Sequence, residues 1–400
     1  MAFQKSIPDS SFDVVIVGGA MIGSSIAWHL KKKLNYQGSV LVVEADPTYD
    51  QAATSHTNSC VRQQFSTEIN IQISQFMGEV VSDFPAYCED PDAPNIPVNF
   101  FGYMYLGDTD SKAAALTEAA DIQRQNDVPI QLLSADEISD AYPFYNTEDV
   151  KIGAHNLQRE GYFDGALMFD YWRSAAMRAG AIYLHDKVVD LKLTDGAVSG
   201  VDLKANGPIT AKYVINCAGT RSADIAAMAG QDIPVEARKR MTYIFTAETP
   251  LDQDLPLTID PSGIHVRWDG HGYLAGCPDD PDPAVAHGDF TVPQHIWETR
   301  VWPVLAHRIP AFEAIKVTSE WAGHYDFNTW DQNALLGQFR SCPNLINASG
   351  FSGHGLQQSA AVGRGIAELV VFGEYRSLDL SELSVNRVAE GRKFIEKAVI

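Results

Sequence analysis

Phe12-Asp-Val-Val-Ile-Val17, Gly18-Gly-Ala-Met-Ile-Gly23, Ser24 to Lys33 and Ser39-Val-Leu-Val-Val-Glu44 follow one another near the start of the chain and decide its fold. The first stretch is a run of β-branched apolar residues, the composition of a parallel strand buried on both faces. The glycines make a tight turn, and the residues after them continue as a helix whose last turn carries three lysines, suiting the negative end of its dipole. A second apolar strand closes a βαβ unit of about 30 residues. In such a unit the turn lets backbone approach a pyrophosphate, which rests on the unpaired N–H groups of the helix N-terminus. Gly18 would form the turn and Gly23 would allow close helix–strand packing, while Ala20 places a methyl where the fingerprint has its middle glycine. Glu44 stands 21 positions after Gly23, where a carboxylate accepts hydrogen bonds from ribose hydroxyls. The pattern predicts a dinucleotide site and does not separate FAD from NAD.

Outward from this unit the same grammar returns. Asp186 to Leu193 and Val198 to Leu203, joined by Asp195-Gly196, read as a hairpin or meander. Lys212 to Gly219 and Asn344 to Gly350 read as further buried strands, and Ser359 to Phe372 as a helix. Two polar, Pro-rich stretches intervene. The expected layout is α/β (α+β): a discontinuous Rossmann-like nucleotide-binding domain from residues 1–84, 161–234 and 321–400, with a second domain inserted as 85–160 and 235–320. Leu378 to Ile400 reads as a surface helix or tail closing the fold.

The 400 residues hold 30 Lys and Arg against 51 Asp and Glu, a formal charge of −21. Phosphate backbones and anionic lipid headgroups repel such a chain, so no nucleic-acid partner is expected. The apolar stretch Val14 to Trp28 falls short of the ~20 residues of a membrane span, so none is expected either. Five scattered cysteines (Cys60, Cys88, Cys217, Cys277, Cys342) and no signal-peptide layout point to reduced thiols, a cytoplasmic location and no metal site. The string Asp279-Asp-Pro-Asp-Pro283 lacks the glycine spacing of a calcium loop and reads as a solvated turn.

A second glycine cluster separates FAD from NAD. Ala348-Ser-Gly-Phe-Ser-Gly-His-Gly-Leu-Gln-Gln358, ahead of the last helix, resembles the FAD-contacting motif of the D-amino-acid oxidase and sarcosine oxidase-like superfamily. Gln51 to Phe65 resembles the segment that runs beside the isoalloxazine ring. Val61-Arg-Gln-Gln-Phe-Ser66, Glu160-Gly-Tyr-Phe-Asp164 and Trp321-Ala-Gly-His-Tyr-Asp326 resemble the mitochondrial FAD-dependent oxidoreductase-domain proteins implicated in complex I assembly.

The resemblance implies a FAD-binding domain, an inserted antiparallel-sheet substrate domain, and oxidation of a C–N bond in a carboxylate-bearing, secondary or N-substituted amino acid. It assigns FAD contacts to Gly18, Ala20, Met21, Ile22, Gly23, Glu44 and Ala45. Ala53, Thr54, Ser55, His56, Asn58, Val188, Ala218, Gly219 and Gly323 follow, then Gly353, His354, Gly355, Leu356 and Gln357. Arg62 aligns with the arginine that binds substrate carboxylate in sarcosine oxidase, a role its bidentate fork suits. Gln357 replaces a supporting lysine, with Arg267 as an alternative second cation, and Tyr325 falls near the ligand. Arg62, Tyr325 and His354 are the expected catalytic group. Gly323 stands where sarcosine oxidase has its flavin-linking cysteine. His56 lies near the flavin-linking histidine of dimethylglycine dehydrogenase, raising a covalent bond that its differing surroundings disfavour.

The electron acceptor, oxygen or a partner, stays open. Gly272 to Asp280 has no lysine where sarcosine oxidase uses one to help oxygen react, which leans toward a dehydrogenase or slow oxidase. Two other readings stay open: a 2-hydroxy-acid dehydrogenase, which needs a base for the hydroxyl proton, and a flavoprotein with a mainly assembly role.

Overall fold

The computed structural model describes residues 2–7 and 9–398. Strand Ser11–Val17 lies at the centre of the first sheet, parallel to Val40–Glu44 on one side and Gly207–Asn216 on the other. Ile182–His185 extends the sheet in parallel beyond Val40–Glu44, and Cys342–Ser349 pairs in parallel with Gly207–Asn216. Strand side chains alternate between faces. Val14 and Ile16 enter the core shared with Trp28, Trp172 and helix Gly355–Phe372. Val15 and Val17 enter a second core under the meander Val188–Thr194, Ala197–Leu203 and Gly207–Asn216.

Helix Met21–Trp28 is followed by a π-helical turn, His29–Lys33, in place of one continuous α-helix. It packs closely on helix Gly355–Phe372, where a Cβ on Gly363 would sit 2.0 Å from Ser25 Oγ. The Ser25 hydroxyl donates to the Ser359 carbonyl at 2.7 Å.

The second sheet runs in the order Ile315–Asn328, Val235–Ala247, Gly272–Pro278, His265–Asp269, Leu257–Ile259, Tyr103–Gly107, Ile152–Asn156, Gln131–Leu133. All its pairings are antiparallel except Leu257–Ile259 with Tyr103–Gly107. Ile315–Asn328 pairs with Val235–Ala247 from Ile315 to Asn328, so the expected division at 320/321 falls inside a strand. Residues 321–328 belong to this sheet, because interrupting the ladder would strand backbone groups in the interior.

Residues 378–398 form a tail with two short 3₁₀ turns rather than a helix, and Val399 and Ile400 lie outside the described residues. The tail is pinned by Arg387 and Asp331, whose side chains are both 0 % exposed and 2.7 Å apart. Its Glu396 is also fully buried and accepts from Ser66, Thr67 and Asn70.

Candidate active site

The turn after Ser11–Val17 has the shape its glycines require. Gly18 adopts φ +98°, and a Cβ there would meet the Cys217 carbonyl oxygen at 2.3 Å. A Cβ on Gly23 would lie 1.9 Å from the Gly18 carbonyl oxygen, so the helix seats directly against the turn. Helix Met21–Trp28 starts at Ala20 with no side-chain cap; the Met21 N–H reaches Thr54 Oγ1 at 3.3 Å. Glu44 accepts from the Gly19 and Asp46 N–H groups at 2.8 and 2.9 Å, and burial raises its pKa above the ordinary value.

From this turn a cavity of about 640 Å³ runs to the second sheet. Gly18, Ala20, Met21, Ile22, Glu44, Ala45, Val188, Ala218 and Gly219 line one part of it, and Ala53, Thr54, His56 and Asn58 continue the lining. Gly323, Tyr325 and Gly353 to Gln357 complete the expected set that the fold brings together. Gly23 lies behind the turn, and Ser55 is exposed and off the cavity, because the 3₁₀ turn Ala53–Ser55 presents its neighbours instead.

Gly353, at φ +93°, lies under the Tyr325 ring, where a Cβ would come within 2.3 Å of Cε2. Asp326 holds this loop by accepting from the Gly350 and Phe351 N–H groups at 2.7 and 3.2 Å. Burial pushes its pKa up to about 6. His56 packs its Cβ over Gly323, turns Nε2 to the Asp50 carbonyl at 2.7 Å and stacks on Phe290. The Gly18–Gly23 cradle, which Cβ atoms would fill, and the uncapped helix N-terminus fit a dinucleotide pyrophosphate.

Arg62 does not present a free fork. Its Nη1 donates to the Gln64 carbonyl at 2.7 Å and its Nη2 to His354 Nε2 at 2.9 Å and to the Ala398 carbonyl. Its plane lies over Phe65 at 4.1 Å. Arginine only donates, so His354 Nε2 accepts and the ring proton sits on Nδ1. Burial, then the neighbouring guanidinium, hold the His354 pKa well below its ordinary value. His354 is therefore a neutral acceptor in the Arg62 network.

Gln357 spends its amide oxygen on the Arg62 N–H at 3.0 Å, bracing the main chain. Arg267 is off the cavity. It pairs with Asp269 at 2.8 Å, stacks over Tyr162 and donates to the Asn58 carbonyl, supporting a lining residue from behind.

Arg240 is a cavity-lining cation that sequence reasoning missed, as are Lys187 and Arg221. It lines the cavity opposite Gly323 with its guanidinium 4.7 Å from the Tyr325 ring centre. The signal was there in Val235-Glu-Ala-Arg-Lys-Arg240, a strand with basic residues two apart, but its inward face depends on register. His265 was also missed. It faces Gly276, whose missing side chain admits the imidazole, and meets Asn58 Nδ2 at 3.1 Å; burial lowers its pKa to about 4.

Behind Arg62, fully buried Glu160 accepts from the Gln63 N–H at 2.6 Å and Gln64 Nε2 at 2.8 Å, and burial raises its pKa to about 7. A carboxyl whose folded pKa exceeds its unfolded value binds the extra proton in the fold. Its contribution to stability therefore falls as pH rises from about 4.5 to about 7 and is level above that. Glu160→Gln is expected to remove this slope: urea midpoints of the parent, relative to the variant, decline across that window.

A nucleotide-binding sheet joined to a second sheet across one long cavity, with a pyrophosphate cradle at one end, defines a dinucleotide-dependent oxidoreductase. The family model described as FAD dependent oxidoreductase, DAO, matches residues 13–369, and the chain belongs to this family and uses FAD. It is 34 % identical over 429 residues to FAD-dependent oxidoreductase domain-containing protein 1 of Xenopus laevis, covering 98 % of this chain and 86 % of the relative. Mitochondrial sarcosine dehydrogenase of Homo sapiens is 22 % identical, over 91 % of this chain and 40 % of its own length. Among solved structures, L-proline dehydrogenase from P. horikoshii superposes with a TM-score of 0.83 at 24 % identity, covering 97 % of this chain and all of the other. Glycine oxidase from Geobacillus kaustophilus gives 0.80 at 20 %, covering 94 % and 99 %. Both likenesses establish the fold.

Proposed function

We propose that the chain oxidises the C–N bond of a carboxylate-bearing amino acid, with secondary or N-substituted amino acids of the sarcosine, glycine or dimethylglycine kind as first candidates. FAD, held by the Gly18–Gly23 turn and the Gly353–Gln357 loop, would supply the two-electron acceptor for the α-carbon hydride, and the imine released would be hydrolysed by water to a carbonyl compound and an amine. The observation that carries this reading is the charge at the second-sheet end of the cavity. There Arg62 keeps its charge against the neutral acceptors Gln64 and His354, Arg240 is paired with Asp282 at 2.9 Å, and the Asp326 carboxyl is spent on the Gly350 and Phe351 N–H groups. In a chain of −21 a local cationic end is what an anionic substrate needs. The names of sarcosine dehydrogenase, proline dehydrogenase and glycine oxidase support a small amino acid.

This chain's residues bind and orient rather than shuttle protons. Tyr325 and the Gly353 loop shape the wall, Arg62 orders His354 and the tail, and a substrate entering as free amine needs no base. The 2-hydroxy-acid reading needs one, and the four imidazoles lining the cavity are engaged: His354 Nε2 by Arg62, His265 Nε2 by Asn58, His324 Nε2 by the Asp289 carbonyl and His56 Nε2 by the Asp50 carbonyl. A panel of N-methyl and N-carboxyalkyl amino acids, proline and 2-hydroxy acids, scored by loss of the flavin's visible absorbance, tests the reading. Bleaching by an amino acid supports it. Bleaching by hydroxy acids alone overturns it, and bleaching by none favours an assembly role.

Among the described residues lining the cavity, the lysine is Lys187, beside Val188 and away from the second-sheet end. This supports a dehydrogenase over a fast oxidase, so artificial acceptors are expected to outpace oxygen in the same assay. With His56 Nε2 held by Asp50, the flavin is expected to be noncovalent. Acid precipitation should leave a yellow supernatant; a yellow pellet refutes this.

A further inference from the structure

At the second-sheet end of the cavity Arg62 donates to Gln64, His354 and Ala398, and Arg240 to the Asp282 carboxylate and the Lys239 carbonyl. His265 differs. It lines the same end, is 9 % exposed, and among the described residues its Nδ1 has no hydrogen-bond partner. His354 Nδ1 is also unpartnered, but His354 lies on the loop expected to hold the cofactor. The His265 ring proton sits on the unpartnered nitrogen. Asn58 Nδ2 donates to His265 Nε2 at 3.1 Å, and Asn58 Oδ1 accepts from the Thr242 hydroxyl at 3.3 Å, which sets the amide's orientation. The ring is held over Gly276, where a Cβ would lie 2.4 Å from both Cε1 and Nε2. The charged groups facing it are Arg267 on its own strand, paired with Asp269, and Arg240 two strands away, paired with Asp282. Burial, then these two guanidinium groups, lower its pKa to about 4, so the imidazole is neutral.

A buried donor without a partner has given up its hydration for nothing, so such a group on a cavity wall marks the place of a missing acceptor. We propose that His265 Nδ1–H is the donor that receives the substrate's carboxylate, with Asn58 and Thr242 as the positioning residues that set its tautomer and hold its ring. This rests on the carboxylate-bearing amine proposed above. The carboxylate is the part of that substrate which suits an N–H donor. The amine nitrogen does not, because its lone pair enters the forming C=N bond as the hydride leaves, and a donor placed there would hold the lone pair back. The arginines of this end then supply the surrounding positive charge, and the neutral imidazole supplies the directed bond.

The test uses FAD-loaded full-length protein with acetate as probe, read by perturbation of the flavin's visible band. His265→Phe is expected to bind acetate about tenfold more weakly than the parent, and His265→Asn, which keeps an N–H donor, within about threefold of it. Thr242→Val, which frees the Asn58 amide to turn, is expected to fall between them. The ratio of parent to His265→Asn affinity is expected to be level from about pH 6 to pH 8, because the imidazole is neutral throughout. A ratio that falls as pH rises means an imidazolium binds the acid, and overturns the proposal. Acetate affinity unchanged in His265→Phe also overturns it, and a flavin band shifted by that variant without acetate would then give the donor to the cofactor. Should His265→Phe fail to load flavin, unchanged affinity in Thr242→Val overturns the proposal. If acetate responds as expected but no amine is oxidised, the carboxylate seat stands and the C–N reading fails. If an amino acid is oxidised with a KM indifferent to His265→Phe, the seat alone fails.

Discussion

Gly353→Ala is expected to cost the protein its flavin while leaving most of the fold in place. Two effects act together at that position. The backbone sits at φ +93°, which an L side chain adopts with strain, and the new methyl would lie 2.3 Å from Tyr325 Cε2. The ring has little room to withdraw: Tyr325 belongs to a strand paired along its length with Val235–Ala247, and Arg240 lies over the ring. The Gly353 loop must therefore move, and that loop is a cavity wall. Occupancy, taken as flavin-to-protein absorbance of the purified variant, should fall at least tenfold, equivalent to about 1.4 kcal/mol or more of lost binding. Gly263→Ala is the control. It shares a positive φ, +85°, but has no atom within 4 Å of the added carbon, so it should cost about 1 kcal/mol of stability and no flavin. Full occupancy in Gly353→Ala would show that the loop does not touch the cofactor.

Arg387→Ala is expected to have the largest effect on stability. The guanidinium and the Asp331 carboxylate are both 0 % exposed, joined at 2.7 and 2.9 Å. The guanidinium also donates to the Leu383 and Asn333 carbonyls. Removing one partner of a buried pair strands the other, at about 3–5 kcal/mol, against a total stability of about 5–15 kcal/mol. The loss should appear as a lower urea midpoint with unchanged m-value. The damage reaches the site as well. The Asp331 main-chain carbonyl accepts from the Glu396 N–H and its carboxylate from the Phe394 N–H, so the tail that carries the Ala398 carbonyl to Arg62 loosens with it. A midpoint shift worth less than about 1 kcal/mol would mean that the pair is relieved by water.

The dinucleotide end was legible because its constraints are local. A glycine needed for positive φ, a helix that must touch its turn, and an acid at the end of the next strand all lie within residues 12–44. The Gly353 loop was legible as a short string that resembles a family motif, and the structure adds its backbone requirement, φ +93° at Gly353. The substrate end was not. Arg62, expected to bind a substrate carboxylate, is buried at the cavity, but its acceptors lie at 64, 354 and 398, and their convergence makes it an organiser of the wall. Arg267 and Arg240 both sit on strands of one sheet, and residue type alone does not say which lines the cavity. Asp269 and the Asn58 carbonyl take Arg267 behind the wall, while the pairing of Val235–Ala247 sets Arg240 opposite Gly323 at the cavity.

By itself, then, the sequence determined the βαβ cradle, the FAD family and the excess of acid. The cradle and the acid follow from spacing along the backbone and from composition, and the FAD family from the resemblance of short strings to a known motif, none of which folding alters. Only the tertiary structure decided where the acid is locally outweighed, that the tail reaches Arg62, and that Asp282 faces Arg240. Those choices depend on which of many equivalent charged side chains meet across strands far apart in the chain, and strand register sets that at long range.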